Sequence, residues 1–195
     1  SKCFHKIIVS TDDEEIANLV KSHGVDVPFI RPKELSDDYT ETIPVIAHAI
    51  RHQIKHDQFP SNVCCIYAAA PFIRSNDLQR CFEKLNNCGS EFSFPATSYA
   101  YPIQRSFRIN DNQRSEMLQP EYSNSRSQDI EEVYHDAGQF YWGKVNAWLE
   151  NNSIINKNAS PLLLPRYRVQ DIDTLEDWQN AEVMFKAIIE NKLKI

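Results

Sequence analysis

Val63-Cys-Cys-Ile-Tyr67, running on into Ala68-Ala-Ala-Pro71-Phe72, is the stretch on which the reading of the fold turns. Its apolar residues do not alternate with polar ones, the pattern of a central parallel strand covered on both faces. Before it, Thr42 to about His56 reads as a helix with Val45, Ile46, Ala49 and Ile54 inward. After it, Ser75-Asn-Asp77 caps a helix through about Leu85, and Phe92 to Ala96 is another strand.

Further out the alternation continues. Lys6 to Ser10 is a short β-branched strand, and Thr11-Asp12-Asp13 opens a helix whose Ile16, Leu19 and Val20 fall on one face. Val25 to Ile30 is the next strand, and Arg31-Pro32 ends it. Tyr134 to Trp142 has strand character around Gly138, with a helix from about Val145 to Asn151. A last helix from Thr174 to about Lys192 places Leu175, Trp178, Ala181, Phe185, Ile188 and Ile189 on one face to close the core. Strands alternating with helices predict an α/β fold in three layers, a mostly parallel twisted sheet flanked by helices. Residues 98–133 break the rhythm. They are polar with scattered aromatics and too long for a plain loop, which predicts an inserted lid or dimer contact. No domain linker or repeat is visible, so residues 1–195 read as a single domain.

Composition narrows the function. A chain of 195 residues that is 42% hydrophobic and 25% charged is globular. A net charge of −6 argues against a nucleic-acid surface, and means that a polyanionic substrate needs a cation or a local basic cluster. Cys3, Cys64, Cys65, Cys81 and Cys88 are odd in number and lack zinc spacing, which predicts free thiols in a reducing compartment. No apolar run approaches the ~20 residues of a membrane helix, and there is no secretory leader. The expectation is a cytoplasmic protein without a membrane partner.

The chemistry concentrates near the C-terminus, in Arg168-Val-Gln-Asp171-Ile-Asp173-Thr-Leu-Glu176-Asp177-Trp178. This reads as a short strand ending in two acids, then a helix. Asp171 and Asp173 leave the same face of an extended chain, so they can hold Mg²⁺ while leaving positions for substrate phosphates. Equally, Asp173 with Glu176 three residues on is a helix cap. Both readings stand on spacing alone.

Five blocks, "IIVSTDDEEIA", "RPKELSDDYTET", "YAAAPFI", "RSQDIEEVYHDAGQFYW" and "RVQDIDTLEDWQNAE", occur in the order found in the sugar-acid cytidylyltransferases. The chain resembles that family over nearly its whole length, and its pseudaminic acid branch most of all in Tyr67 and the "YHDAGQFYW" run. The resemblance implies a Rossmann-like nucleotidyltransferase fold of the GT-A type. It also implies a reaction in which CTP and a nine-carbon keto sugar acid give the CMP-sugar and pyrophosphate, with Mg²⁺ as cofactor, in a homodimer. It makes Asp171 and Asp173 the metal carboxylates, with Asp173 able to cap the helix as well. It places Ser10, Asp12, Arg31 and Thr42 around the nucleotide, Arg31 reading the cytosine edge with Thr42 beside it. Tyr67, Arg126 and Tyr141 then face the sugar acid, against bland readings of Arg31 as a strand-end charge, Arg126 as a loop arginine and Tyr141 as a core aromatic. Of His135 and Asp136, adjacent on a strand, one alone can face the pocket, and His135 reads as structural.

The sequence departs from the family in two places. Tyr67 stands where sialic acid synthetases have a sugar-contacting glutamine. The family's opening strand and glycine- and lysine-bearing phosphate loop have no counterpart, so the expectation is a nucleotidyltransferase domain lacking that segment, with weak or no activity as written. Two other classes compete: a metal-dependent glycosyltransferase, because Asp171-Ile-Asp173 matches a DxD pattern, and a non-catalytic remnant that binds nucleotide.

Overall fold

The computed structural model describes residues 1–190, with side chains through Ile188. Ile189 as a core residue and the end of the last helix near Lys192 lie outside the described residues. The helices are α1 (Glu14–Ser22), α2 (Thr42–Lys55), α3 (Ser75–Asn87), α4 (Val145–Leu149) and α5 (Leu175–Glu190). The strands are β1 (Asn62–Ile66), β2 (Phe92–Ser98), β3 (Phe107–Ile109), β4 (Ser115–Met117), β5 (Tyr134–Asp136), β6 (Phe140–Lys144) and β7 (Ala159–Leu163). The chain divides into two compact units, one of Ser1–Tyr67, Ile73–Phe94 and Phe140–Ser160, the other of Ala68–Phe72, Pro95–Gln139 and the chain from Pro161 onward.

In the first unit β6 is the organising strand. It pairs antiparallel with β1, Cys64 opposite Trp142 and Cys65 opposite Tyr141, and with the start of β2, Phe92 opposite Gly143. Successive residues of β6 face opposite ways. Trp142 points to α3, donating its indole N–H to Leu78 O at 3.0 Å and packing on Phe82. Gly143 faces the other way, toward Trp148 of α4 and Phe92, and a Cβ there would meet the Phe92 ring at 2.6 Å. Trp148 is fully buried edge-on to Phe92, with ring centroids 5.0 Å apart. α3 and α4 therefore lie on opposite faces of β6. The Ile8–Asp26 and Thr11–Ile30 bridges are parallel, each a single residue pair rather than a strand.

The second unit holds the rest of β2, paired antiparallel with β5 so that Ala96 faces Asp136 and Thr97 faces His135. Leu164 N donates to Ala96 O at 2.8 Å, which ties in the end of β7. The 98–133 segment contains the β3–β4 hairpin, Phe107 opposite Met117, and short 3₁₀ turns.

Three expectations are corrected. The β1–β6, β2–β6, β2–β5 and β3–β4 pairings are antiparallel, so the sheet is not mostly parallel. β1 pairs with β6 at the end of its sheet and is half-buried, while the run buried on both faces is β2. A continuous apolar run reports burial and cannot report strand direction. The helix faces differ too: Ile16 and Leu19 of α1, and Leu175, Trp178 and Phe185 of α5, are exposed, leaving Ala17 and Ala181 buried. On α2 Ala49 is buried as expected, joined by Ala47, Ile50 and Gln53, while Val45, Ile46 and Ile54 are half-buried. Periodicity finds an apolar face and does not show what covers it.

Candidate active site

In the first unit, the turn after Ser10 is built by short-range capping. Thr11 Oγ1 accepts from Asp13 N at 3.1 Å, and the Asp13 carboxylate accepts from Glu15 N and Ile16 N at 2.7 and 2.9 Å, starting α1. Arg31 is fixed beside this turn. Its amide donates to Thr11 O at 2.8 Å, Nε to Ser36 Oγ at 3.1 Å and Nη2 to Asp12 Oδ1 at 2.9 Å. The Arg31 hydrogen bond holds the Asp12 carboxyl below its ordinary range. The guanidinium is thus oriented on two sides, with Nη1 unengaged among the described residues. Ser10 Oγ is shielded from solvent and has no hydrogen-bond partner among the described residues.

Thr42, the first residue of α2, shares a 2.7 Å hydrogen bond with the phenol of Tyr67. The Tyr67 ring lies against Tyr141 at 5.4 Å, and Tyr141 against Phe94 at 5.9 Å. Tyr141 is buried, so it supports Tyr67 from below. The predicted nucleotide residue Thr42 and sugar residues Tyr67 and Tyr141 form one connected group.

In the second unit, Arg166–Arg168 is a 3₁₀ turn, Val169 after it is extended, and residues 169–174 belong to no strand, not the strand expected. Arg168 is buried and anchors the segment: its Nη2 donates to Phe72 O at 3.3 Å, and its own carbonyl accepts from Gln139 Nε2 at 2.7 Å. Asp171 then comes against Gly138. A Cβ on Gly138 would lie 3.1 Å from Asp171 Oδ1, and Gly138 has φ +60°, a conformation that favours glycine. Partial desolvation, then the charges of Asp173, Asp136 and Asp177, push the Asp171 carboxyl above its ordinary range.

The helix cap is a correction of detail. Thr174 Oγ1 accepts from Asp177 N at 3.2 Å, and the Asp177 carboxylate accepts from Thr174 N and Oγ1 at 2.9 and 2.7 Å. The capping box is Thr174–Asp177, not Asp173–Glu176. The Thr174 hydroxyl keeps the Asp177 carboxyl low, and Asp177 also accepts from Asp173 N at 3.3 Å. Asp173 is thereby released from capping, and its carboxylate has no hydrogen bond or ion pair among the described residues.

Asp136 is the residue that sequence reasoning paired with His135 without choosing it for the site. It acts on Asp171 electrostatically, while His135 turns away, its Nδ1 near Asp136 O at 2.8 Å and its ring on Tyr99. Strand alternation showed that one of the two faces the site, and Gly138 two residues on was the available signal for which. Arg126 is an exposed residue before a 3₁₀ turn, in no described contact with the other predicted residues.

The oxygen-only donors Asp171 and Asp173 suit a hard cation, and their mutual repulsion is what such an ion would relieve. No group of three or more acids, histidines or cysteines is arranged around a metal position among the described residues. Two protein carboxylates with substrate phosphates completing the shell is the ordinary arrangement for Mg²⁺.

The sequence model of the cytidylyltransferases matches residues 1–184. The chain belongs to the cytidylyltransferase family. This cytidylyltransferase is 41% identical over 187 residues to a pseudaminic acid cytidylyltransferase of Campylobacter jejuni subsp. jejuni serotype O:23/36, covering 96% of the chain and 81% of that relative. It is 24% identical to a CMP-N,N'-diacetyllegionaminic acid synthase of Legionella pneumophila, over 95% of the chain and 80% of the relative. Its fold is similar to a solved structure of CMP:2-keto-3-deoxy-manno-octonic acid synthetase complexed with CTP. That likeness has a TM-score of 0.59 at 13% identity, covering 98% of the chain and 83% of the other. The cytidylyltransferase is thus a mixed α/β nucleotidyltransferase, and its DxD pattern sits in a cytidylyltransferase rather than a glycosyltransferase.

Proposed function

We propose that the protein transfers CMP from CTP to a nine-carbon keto sugar acid of the pseudaminic type, releasing pyrophosphate, for a surface glycan. The observation that carries this reading is the Asp171–Asp173 carboxylate pair, one acid packed on Gly138 and the other free of any cap, in a chain 41% identical to a pseudaminic acid cytidylyltransferase. The anomeric hydroxyl of the sugar forms a bond to the α-phosphorus as the bond to the β-phosphate oxygen breaks, and the hydroxyl proton leaves to solvent. Mg²⁺ held by Asp171 and Asp173 would supply charge neutralisation to the phosphates. Arg31, held by Asp12 and Ser36, presents a fixed donor edge to the base, and Ser10 and Thr42 line the same ligand. Tyr67, propped on Tyr141 and bonded to Thr42, orients the sugar acid with Arg126. Positioning of this kind supplies most of the catalysis where the protein does little covalent chemistry.

The exposed apolar side chains of the β3–β4 hairpin, Phe107, Ile109 and Leu118, support a homodimer through residues 98–133. No helix among the described residues is long and apolar enough to cross a membrane. Pyrophosphate release from CTP and Mg²⁺, offered pseudaminic, legionaminic and sialic acids in turn, tests the reading. Turnover is expected with pseudaminic acid, reduced about a hundredfold or more in Asp171→Ala, the loss of several kcal/mol of charge stabilisation. Preference for sialic acid would overturn the substrate, and CTP turnover that ignores Asp171 would overturn the site.

A further inference from the structure

Helix α2, Thr42-Ile-Pro-Val-Ile-Ala-His-Ala-Ile-Arg-His-Gln-Ile-Lys55, contains no acid, although the chain has 27 acidic against 21 basic residues. Its bases are not scattered. His48, Arg51, His52 and Lys55 are spaced i, i+3, i+4 and i+7, one stripe of the helix. This stripe borders a groove of about 280 Å³ whose other walls are Leu35 and Pro44. Arg51 and Lys55 form no ion pair among the described residues, although Glu34 precedes the groove residue Leu35 and Asp57 follows Lys55 by two residues.

The imidazoles are fixed in place. Phe29 packs edge-on to His48 at 4.7 Å and against His52 at 4.8 Å, and the His52 and His56 rings stack at 4.3 Å. Nδ1 of His48 and Nδ1 of His52 are shielded from water and have no hydrogen-bond partner among the described residues. Burial, followed by the charges of His56, His48, Lys55 and Lys6, depresses the His52 pKa. Lys6 itself is paired with Asp26 at 3.6 Å, so it is partly neutralised. Attraction to the helix C-terminus accounts for Lys55 and His56, since that effect fades beyond the last turn. It does not account for Arg51 and His48, further back.

We propose that this groove is a binding site for a small phosphate-bearing anion, free inorganic phosphate or pyrophosphate, held by Arg51 and Lys55 with His48 and His52 alongside. A planar guanidinium and an ammonium on one stripe are the donors that phosphate recognition uses. The anion supplies the counter-charge that the stripe lacks, and it favours the protonated form of His52.

The test is histidine-ring NMR of the full chain, titrated with phosphate and with pyrophosphate against chloride at matched ionic strength. The ring signals of His48, His52 and His56 should move saturably, pyrophosphate acting at lower concentration than phosphate, with the His52 titration shifted to higher pH. His5, His23 and His135 serve as internal controls. The Arg51→Gln/Lys55→Gln double variant should weaken the response at least tenfold, and where that variant does not fold, exposed Lys55→Gln takes its place. Shifts equal to those from chloride, shifts shared by all six histidines, or a response unchanged in the variants would overturn the proposal. The readout does not depend on catalysis, so its failure leaves the cytidylyltransferase reading intact.

Discussion

Gly138 sets the reach of Asp171. With φ +60° and the Asp171 carboxylate 3.1 Å from where a Cβ would stand, Gly138→Ala forces both a left-handed backbone on alanine and a displacement of the acid. The backbone part costs roughly 1–2 kcal/mol. We expect a lower melting temperature together with a loss of divalent-metal affinity larger than the stability change explains, read by differential scanning calorimetry and metal titration. A second prediction follows from the raised Asp171 pKa. Protonation relieves repulsion in the metal-free protein, so Asp171's contribution favours the fold below its raised pKa and is lost as pH rises through it. Metal binding needs the ionised form and has the opposite sign. The metal-induced rise in melting temperature should therefore shrink on acidification at a pH above that of an ordinary aspartate. A rise independent of pH across that window would count against Asp171 as a ligand.

These residues were legible unevenly. The spacing of Asp171 and Asp173 allowed both a metal pair and a helix cap, and the family resemblance favoured the pair. The capping reading that competed with it is resolved by Thr174 and Asp177, whose geometry no spacing rule could rank against Asp173 and Glu176. The choice between His135 and Asp136 stayed open because it depends on which way the strand before Gly138 faces.

Among the elements, β6 and α4 carry the core of the first unit. Trp148 is fully buried, edge-on to Phe92, with its indole N–H donated to Val63 O at 3.3 Å. Trp148→Ala should destabilise by about 3–5 kcal/mol in urea unfolding, the usual cost of deleting a buried large aromatic. A cost under about 1 kcal/mol would show that α4 does not cover β6. All five helices were legible to within a few residues at their starts, because caps and a 3.6-residue period are local signals. Strand direction was not, since it depends on which distant segment pairs with β6. The burial of α1 and α5 was misread for the same reason: Leu19 and Phe185 complete apolar stripes, yet both are exposed.

At the scale of the whole molecule, five cysteines are free, and burial pushes the thiols of Cys65 and Cys81 up to about 12, which keeps them protonated and weakly nucleophilic. Exposed Cys88 should be the first to react with a thiol reagent. Association is expected to depend on the β3–β4 hairpin, where Phe107 and Ile109 are 59% and 67% exposed. Phe107→Asp with Ile109→Glu should give a monomer by sedimentation velocity while the circular dichroism spectrum stays unchanged. A dimer that survives both changes would place the interface elsewhere.

The site itself is best tested by calorimetric titration of Mg²⁺ with CTP into the wild-type chain, Asp171→Asn and Asp173→Asn. Binding that requires both ligands together in the wild type, and that is weakened at least tenfold by either substitution, is the predicted result. Equal Mg²⁺–CTP affinity in all three proteins would contradict the assignment of these two carboxylates to the metal.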